Sequence, residues 1–257
     1  EFVDGIPLAD MMEQTGALSL DDVKLLIRRL ANGLNRAHEL EITHRDLSPD
    51  NIIVEGGKLN HAKLIDFGIA KSTAITEGTL HGQFAGKFNF VSPEQLGHFD
   101  GLVDARSDIY SLGLMLAGAA VGKPLPMGAS IVDAVQSRSG IPDLSGVYPE
   151  LQPILAYMLE PNPANRPATM AEVARMIEVQ RAYEMGLINQ IVEAGSALAS
   201  AQELAAKISA NGPLAVEVSK QVIAQSSLWS EKEMWDKQQE LVSPIFTSED
   251  AIEGATA

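Results

Sequence analysis

Cysteine is absent from the chain, so disulfide bonds and thiolate metal ligands are excluded. No apolar run approaches the ~20 residues that a membrane-spanning helix needs, and we expect no membrane segment. Basic residues are few: 19 Lys and Arg against 34 Asp and Glu give a formal net charge of −15. This balance excludes the positive surface with which proteins bind nucleic acid. The lack of cysteine and of a basic, signal-like start predicts a cytoplasmic location.

Apolar side chains recur at helical spacing in three stretches. They predict a helix over residues 19–40 that is capped by Ser19, and a nearly uncharged helix over residues 104–122 that is buried on most sides. Thr169 caps a later amphipathic helix. Helix is therefore expected to dominate the fold.

A β-hairpin is predicted between the first two of these helices. Residues 51–54 and 62–65 are rich in β-branched and apolar side chains, and Gly56-Gly57 separates them as a turn. The two strands of a hairpin run antiparallel, so Asn51 and Asp66 should lie at the same end.

Two short motifs flank this hairpin. Residues 44–51 read HRDLSPDN and residues 66–68 read DFG. One such tripeptide arises by chance in ~3% of chains of this length, whereas two in this order, each beside a predicted strand, are a strong signal. Asp46 could accept a hydroxyl proton, while Asn51 and Asp66 offer the hard oxygen ligands that Mg²⁺ prefers. The alternative is that both Asp residues are solvated loop acids.

In these motifs the chain resembles the large, C-terminal lobe of eukaryotic-like bacterial serine/threonine protein kinases, over residues 1–179. The resemblance implies ATP and Mg²⁺ as cofactors and a Ser or Thr hydroxyl of a protein substrate as acceptor. It also implies that Asp46 is the catalytic base and that Asn51 and Asp66 hold the metal.

The same resemblance assigns the nucleotide pocket. Glu1-Phe2-Val3 would be the hinge, with adenine bonded to the carbonyl of Glu1 and the amide of Val3, and Ile53 beneath the ring. Residues 73–79 contain three Thr residues that could be phosphorylated, or could be ordinary loop residues.

Structural roles also follow from the resemblance. Glu94 of the SPE motif should form an ion pair with Arg166, and Asp108 should anchor the backbone of the catalytic loop. His44 is expected to pack behind Phe67 as part of an apolar spine rather than to act as a base.

Some parts of the family pattern are missing. The 21 Gly residues form no Gly-x-Gly pair, and the sole Lys before the catalytic loop is Lys24, on a predicted helix. The small lobe, with its phosphate-gripping Lys, is therefore expected to be absent from this sequence, and the isolated chain to be inactive. Ser48 stands where the family has Lys, and Lys87 where it has Thr. Lys87 could supply the lost ammonium at the catalytic site, or be an exposed loop residue. A non-catalytic, pseudokinase-like binding module is the alternative function.

The last part of the chain has a different amino-acid composition. Residues 181–257 are rich in Ala, Gln, Ser and Glu and predict three or four helices. In the phrases RAYEMGLINQIVEAG, LAAKISANGPLAVEVSKQVI and EMWDKQQELVSPIFTSEDAIEGATA they resemble the C-terminal helices of the enoyl-CoA hydratase/isomerase (crotonase) family, which leaves an acyl-CoA enzyme fragment as a third function. The resemblance predicts a chimera of two unrelated fragments joined near residue 180, with a helical appendage to the kinase lobe as the alternative. Helices without a crotonase core would expose apolar side chains and promote oligomerisation. The side chains concerned are Leu204, Ile208, Val222, Ile223 and Trp235.

The predicted fold is therefore α+β and mainly helical. A protein-kinase C-terminal lobe with short β-hairpins occupies residues 1–179, and a helical crotonase-like tail occupies residues 180–257.

Overall fold

The computed structural model describes residues 3–67, 87–226, 228–230 and 232–248, with residues 87 and 88 described by their backbone alone. Contacts between Cα atoms divide the chain into two compact units, residues 1–188 and 189–257. Within the described ranges, none of the helices combines the length and apolar character that crossing a membrane requires.

The first unit contains six α-helices and one small sheet within the described residues, in keeping with the predicted α+β fold. In chain order the elements are β1 (Ile6–Pro7), α1 (Leu8–Thr15), α2 (Leu20–His38), β2 (Ile52–Val54), β3 (Ala62–Leu64), α3 (Ala105–Val121), α4 (Ile131–Ser137), α5 (Gln152–Met158) and α6 (Met170–Glu184).

Helix α2 begins where the capping pattern predicts. The Ser19 side chain accepts from the Asp22 amide at 3.2 Å and donates to the Asp22 carboxylate at 2.7 Å. One face of the helix is buried, and α2 packs against α6 and α3. Its buried residues are Val23, Leu26, Ile27, Leu30, Ala31 and Leu34. Helix α6 starts in the same way, at a Thr169 side chain that accepts from the Glu172 amide at 3.2 Å.

The predicted hairpin is confirmed. Strands β2 and β3 are antiparallel, with Ile52 opposite Leu64. The turn needs left-handed backbone at Gly56 (φ 59°) and Gly57 (φ 70°), which glycine adopts at no steric cost. Strand β1, which the sequence analysis missed, pairs with the other edge of β2 and completes a three-stranded sheet.

Helix α3 is the centre of the core. Every residue from 107 to 120 is buried, because other elements cover the helix on all sides. Asp104 caps it by accepting from the Arg106 amide at 2.8 Å. It ends at Gly122, whose φ of 80° suits the left-handed cap.

The second unit contains three helices within its described residues: α7 (Ala197–Ser209), α8 (Pro213–Ser226) and α9 (Met234–Val242). Pro213 occupies the first position of α8, as its fixed φ favours. The predicted domain boundary at 179/180 lies within α6. It stays a prediction. Four of the five apolar side chains named above are exposed, and Val222 is half-buried.

Candidate active site

Asp108, near the start of α3, anchors the loop that carries HRDLSPDN. Its side chain is 1% exposed. Oδ2 accepts from the His44 amide at 2.7 Å, and Oδ1 accepts from the Arg45 amide at 2.8 Å. Oδ2 also lies 2.8 Å from Nε2 of His38, which donates to it. The predicted anchoring role of Asp108 is confirmed, because one buried carboxylate fixes two successive peptide groups ahead of Asp46.

The predicted metal ligands lie at one end of the hairpin. Asn51 Nδ2 donates to the carbonyl of Asp46 at 2.7 Å, and the amide of Ile65 donates to the carbonyl of Asn51 at 3.0 Å. Asp66 follows Ile65 directly. The structure therefore brings Asp46, Asn51 and Asp66 to neighbouring segments, and it leaves Oδ1 of Asn51 as the amide atom for a cation.

His44 connects the two motifs. Its Nε2 donates to the carbonyl of Ile65 at 2.9 Å, because a carbonyl can only accept. Nδ1 is then an acceptor, and it receives the Asp46 amide at 3.4 Å. The ring packs against Phe67 with 4.7 Å between ring centroids. The expected packing of His44 behind Phe67 is confirmed.

Two residues of the site hold left-handed backbone conformations. Arg45 has a φ of 65° and Asp66 a φ of 55°. Each costs about 1–2 kcal/mol for a residue with a Cβ, so the surrounding bonds must enforce them. Strained residues of this kind concentrate at functional sites.

A cleft of about 690 Å³ opens beside the catalytic loop. Asp46, Ser48 and Asn51 line one wall, and Val91 and Gln95 contribute to another. The cleft is large enough for an extended peptide segment, so an acceptor side chain could approach Asp46 from it.

The remaining predicted site residues are placed less completely. Val3 is half-buried, and Ile53, also half-buried, lies on β2. A Cβ on Gly5 would come within 2.8 Å of Cγ2 of Ile53, so the segment after Val3 passes directly over that side chain. Glu1, residues 73–79 and the side chain of Lys87 lie outside the part of the chain that the structure describes; the backbone of Lys87 begins a short 3₁₀ turn over Lys87–Phe90.

The predicted Glu94–Arg166 pair is confirmed and fully buried. The Arg166 guanidinium donates to both carboxylate oxygens, at 2.7 and 3.0 Å, and both side chains are 0% exposed. Ser107 Oγ donates to the same carboxylate at 2.7 Å. The guanidinium carbon lies 4.7 Å from the centroid of the Tyr110 ring, and burial raises the pKa of Tyr110 to about 12, so the ring stays neutral.

The sequence analysis missed Gln95, which lines the cleft, and Arg138, which binds the backbone of the lining residue Val91. Gln95 donates to the carbonyl of Arg45 at 2.7 Å. Arg138 is 0% exposed, donates to the carbonyls of Val91, Met127 and Ala134 at 2.6–3.0 Å, and has its pKa lowered by burial. The position of Gln95 directly after SPE was an available signal, whereas a lone Arg in a polar stretch predicts exposure.

The donor set fits magnesium. Within the described ranges, no three His, Cys, Asp or Glu side chains cluster as a metal site. Mg²⁺ does not need such a cage, because it commonly takes one or two protein oxygens together with phosphate and water. The amide oxygen of Asn51 and the exposed carboxylate of Asp66 meet that requirement.

Comparison with known proteins supports this description. A family model described as "Protein kinase domain" matches residues 1–177. Serine/threonine-protein kinase PknB of Mycolicibacterium smegmatis is 35% identical over 181 residues, which cover 67% of this chain and 28% of that protein. Serine/threonine-protein kinase AfsK of Streptomyces coelicolor is 34% identical over 179 residues, or 66% of this chain and 22% of that protein. The chain thus spans only about a quarter of the length of these relatives.

A solved structure shares the fold. The crystal structure of Rad53 1-466 in complex with AMP-PNP aligns with a TM-score of 0.56 and 24% sequence identity, over 69% of this chain and 45% of that one. Because the family model covers more than half of the residues, the chain belongs to the protein kinase family, with bacterial serine/threonine kinases among its relatives.

Proposed function

We propose that residues 1–179 take part in phosphoryl transfer from ATP to a Ser or Thr hydroxyl of a protein substrate. The proposal is carried by two hydrogen bonds of Asn51. Its side-chain Nδ2 donates to the carbonyl of Asp46, and its backbone carbonyl accepts from the amide of Ile65, the residue before Asp66. The candidate base and both candidate metal ligands are thus parts of one bonded unit. Relatives that are named serine/threonine kinases support the choice of acceptor.

In this proposal Asp46 accepts the proton of the acceptor hydroxyl. Oδ1 of Asn51 and the carboxylate of Asp66 would hold Mg²⁺, which when bound neutralises phosphate charge. The hinge residues Glu1 and Val3 would bind adenine, with Ile53 beneath it. The protein contributes mainly position, because this reaction requires little covalent chemistry from it.

The polypeptide of 257 residues, assayed by itself, should transfer phosphate only at background rate. Lys24 cannot act as the missing phosphate lysine, because its ammonium is 2.7 Å from Glu184 on α6. Loss of a preorganised cation at developing charge costs about 3–4 kcal/mol, or roughly 10²–10³ in rate. Ordinary turnover of Mg-ATP by this polypeptide would contradict the expectation.

A chimera tests the proposed function. The small lobe of PknB from M. smegmatis, joined ahead of Glu1, would supply the Gly-rich strand and the strand Lys. We expect Mg-ATP-dependent phosphorylation of a Ser/Thr protein at least about 10²-fold above the unjoined polypeptide. Asp46→Asn should return the rate to background, and Asp50→Asn in the same loop serves as the matched control, with a change of less than about threefold.

The same chimera separates the alternative function. Ser48 in place of a catalytic-loop Lys favours a pseudokinase-like binding module. Such a module would bind Mg-nucleotide in the chimera and transfer nothing. If Lys87 supplies the missing ammonium, Lys87→Ala should lower the rate by about 10²-fold, and Ser48→Lys should restore it. An unchanged rate in Lys87→Ala would end that hypothesis.

For the second unit we propose association between copies through its exposed apolar side chains. Leu204, Ile208, Ile223 and Trp235 are 41–75% exposed. Light scattering should show oligomers at micromolar concentration, and Ile223→Lys with Trp235→Lys should shift them to monomer. A monomer for the unmodified polypeptide would contradict this. The crotonase resemblance stays a prediction, and binding of coenzyme A would support it. The cytoplasmic location also stays a prediction.

A further inference from the structure

We infer that Gln95 is a positioning residue for Asp46, and that it makes the direction of the candidate base depend on the placement of Ser92. The inference rests on the proposed function in one respect, the role given to Asp46. Gln95 is half-buried and lines the same cleft as Asp46.

One peptide group sets the direction in which Asp46 projects. The carbonyl of Arg45 and the amide of Asp46 belong to the same planar, trans unit. The carbonyl accepts from Gln95 Nε2 at 2.7 Å, and the amide donates to His44 Nδ1 at 3.4 Å on the opposite edge. Two side chains from different segments therefore fix the plane from which Asp46 projects.

This plane needs a support. Arg45 has a φ of 65°, a conformation that costs about 1–2 kcal/mol. Asp108 holds the amide of Arg45 at 2.8 Å, but that bond lies on the near side of its φ and ψ rotations. The bond from Gln95 is on the far side. The two bonds hold the peptide groups on either side of Arg45, so together they resist rotation about its φ and ψ angles.

The orientation of the Gln95 amide follows from its partners. Oε1 accepts from the amide of Ser92 at 3.1 Å and from its hydroxyl at 3.1 Å. An amide N–H can only donate and a carbonyl can only accept, so Oε1 must face Ser92 and Nε2 must face Arg45. Gln95 therefore links Ser92 rigidly to the catalytic loop.

The far end of this link is firmly held. Ser92 is 0% exposed, and Glu94, between Ser92 and Gln95, is bound by the buried Arg166. A shift of the SPE segment would therefore move the peptide group ahead of Asp46. The hydrogen bonds of Gln95 thus couple the position of Ser92 to the orientation of Asp46.

NMR of the ¹⁵N-labelled polypeptide, without nucleotide or metal, tests the inference. Gln95→Glu removes the donor to Arg45 and keeps the acceptor for Ser92; Gln95→Met removes both. We expect amide exchange at Asp46 to rise about fivefold in both variants, with altered His44 imidazole ¹⁵N shifts, and exchange at Ser92 to rise only in Gln95→Met. The second variant also covers the case in which the first fails to fold.

Gln152→Glu is the matched control, because Gln152 Nε2 likewise donates to a backbone carbonyl, that of Val147, at 2.9 Å, away from the cleft. It should leave Asp46 and His44 unchanged. Unchanged Asp46 exchange in Gln95→Met, or equal effects of Gln95→Glu and Gln152→Glu, would overturn the inference. These readouts need no phosphoryl transfer. If amide exchange at Asp46 rises in the Gln95 variants but the chimera is inactive, the result counts against the proposed function and not against the role of Gln95.

Discussion

Replacement of Arg166 by Met should lower the free energy of unfolding of the first unit by about 3–5 kcal/mol. The variant leaves the Glu94 carboxylate buried, at 0% side-chain exposure, and it keeps the hydrogen bond from Ser107 Oγ at 2.7 Å. An uncompensated buried charge is among the most costly defects that a single substitution can create.

Replacement of the partner residue, Glu94→Gln, should lower the free energy of unfolding by less, about 1–3 kcal/mol. Arg166 keeps three backbone acceptors in that variant, the carbonyls of Glu160, Pro161 and Arg106 at 2.7–2.9 Å. The matched control is Arg106→Met, which removes a pair with Asp104 whose side chains are 38% and 49% exposed, and it should cost at most about 1 kcal/mol.

Urea unfolding can be followed for each unit separately. Tyr110, Tyr148, Tyr157 and Tyr183 lie within residues 1–188, whereas both Trp residues lie within residues 189–257. Near-UV circular dichroism of tyrosine therefore reports on the first unit, and tryptophan fluorescence on the second. Equal losses for Arg166→Met and Arg106→Met would contradict the assigned importance of the buried pair.

Asp108→Asn should cost about 2–4 kcal/mol and loosen the catalytic loop. The carboxylate accepts two backbone amides and the His38 ring. Asn offers a single acceptor oxygen, and its NH₂ would face one of these donors. The amides of His44 and Arg45 should therefore exchange faster, whereas those of β2 and β3 should not.

Asp104→Asn is the control on the same helix. Asn caps a helix about as well as Asp, so the cap of α3 survives. Burial would raise the pKa of Asp104, but the hydrogen bonds and charge of Arg106 outweigh it and leave that pKa below its ordinary value. The lost ion pair is exposed and should cost less than about 1 kcal/mol. If Asp108→Asn lowers the free energy of unfolding no more than Asp104→Asn does, the hydrogen bonds of Asp108 to the catalytic loop are dispensable for stability.

Much of this architecture was predictable from local patterns. The cap at Ser19, the Gly-Gly turn and the apolar run of α3 each depend on residues within about a helical turn of one another, so the sequence reveals them directly. Asp108, Glu94 and Arg166 were predictable only through the family resemblance, because their partners lie 13 to 72 residues away.

Other features could not be predicted in this way. Strand β1 has two residues and exists because β2 offers an unpaired edge, which is a tertiary property. Burial of Arg138 depends on the carbonyls of Val91 and Met127, 47 and 11 residues away, as well as on that of Ala134 in the adjoining helix α4, and no spacing in the sequence encodes the two distant contacts. Gln95 shows the same limitation, since its two partners are fixed only after the loop and the SPE segment have packed.

Binding of Mn²⁺ in place of Mg²⁺ tests the central claim most directly. Mn²⁺ takes similar oxygen ligands and broadens NMR signals of nearby nuclei. With ATP present, the signals of residues 46, 51 and 66 should broaden together at one Mn²⁺ concentration, and the double variant Asn51→Leu, Asp66→Asn should lose this effect. Broadening confined to other surface acids, or persisting unchanged in the double variant, would contradict a shared cation site and with it the proposed function.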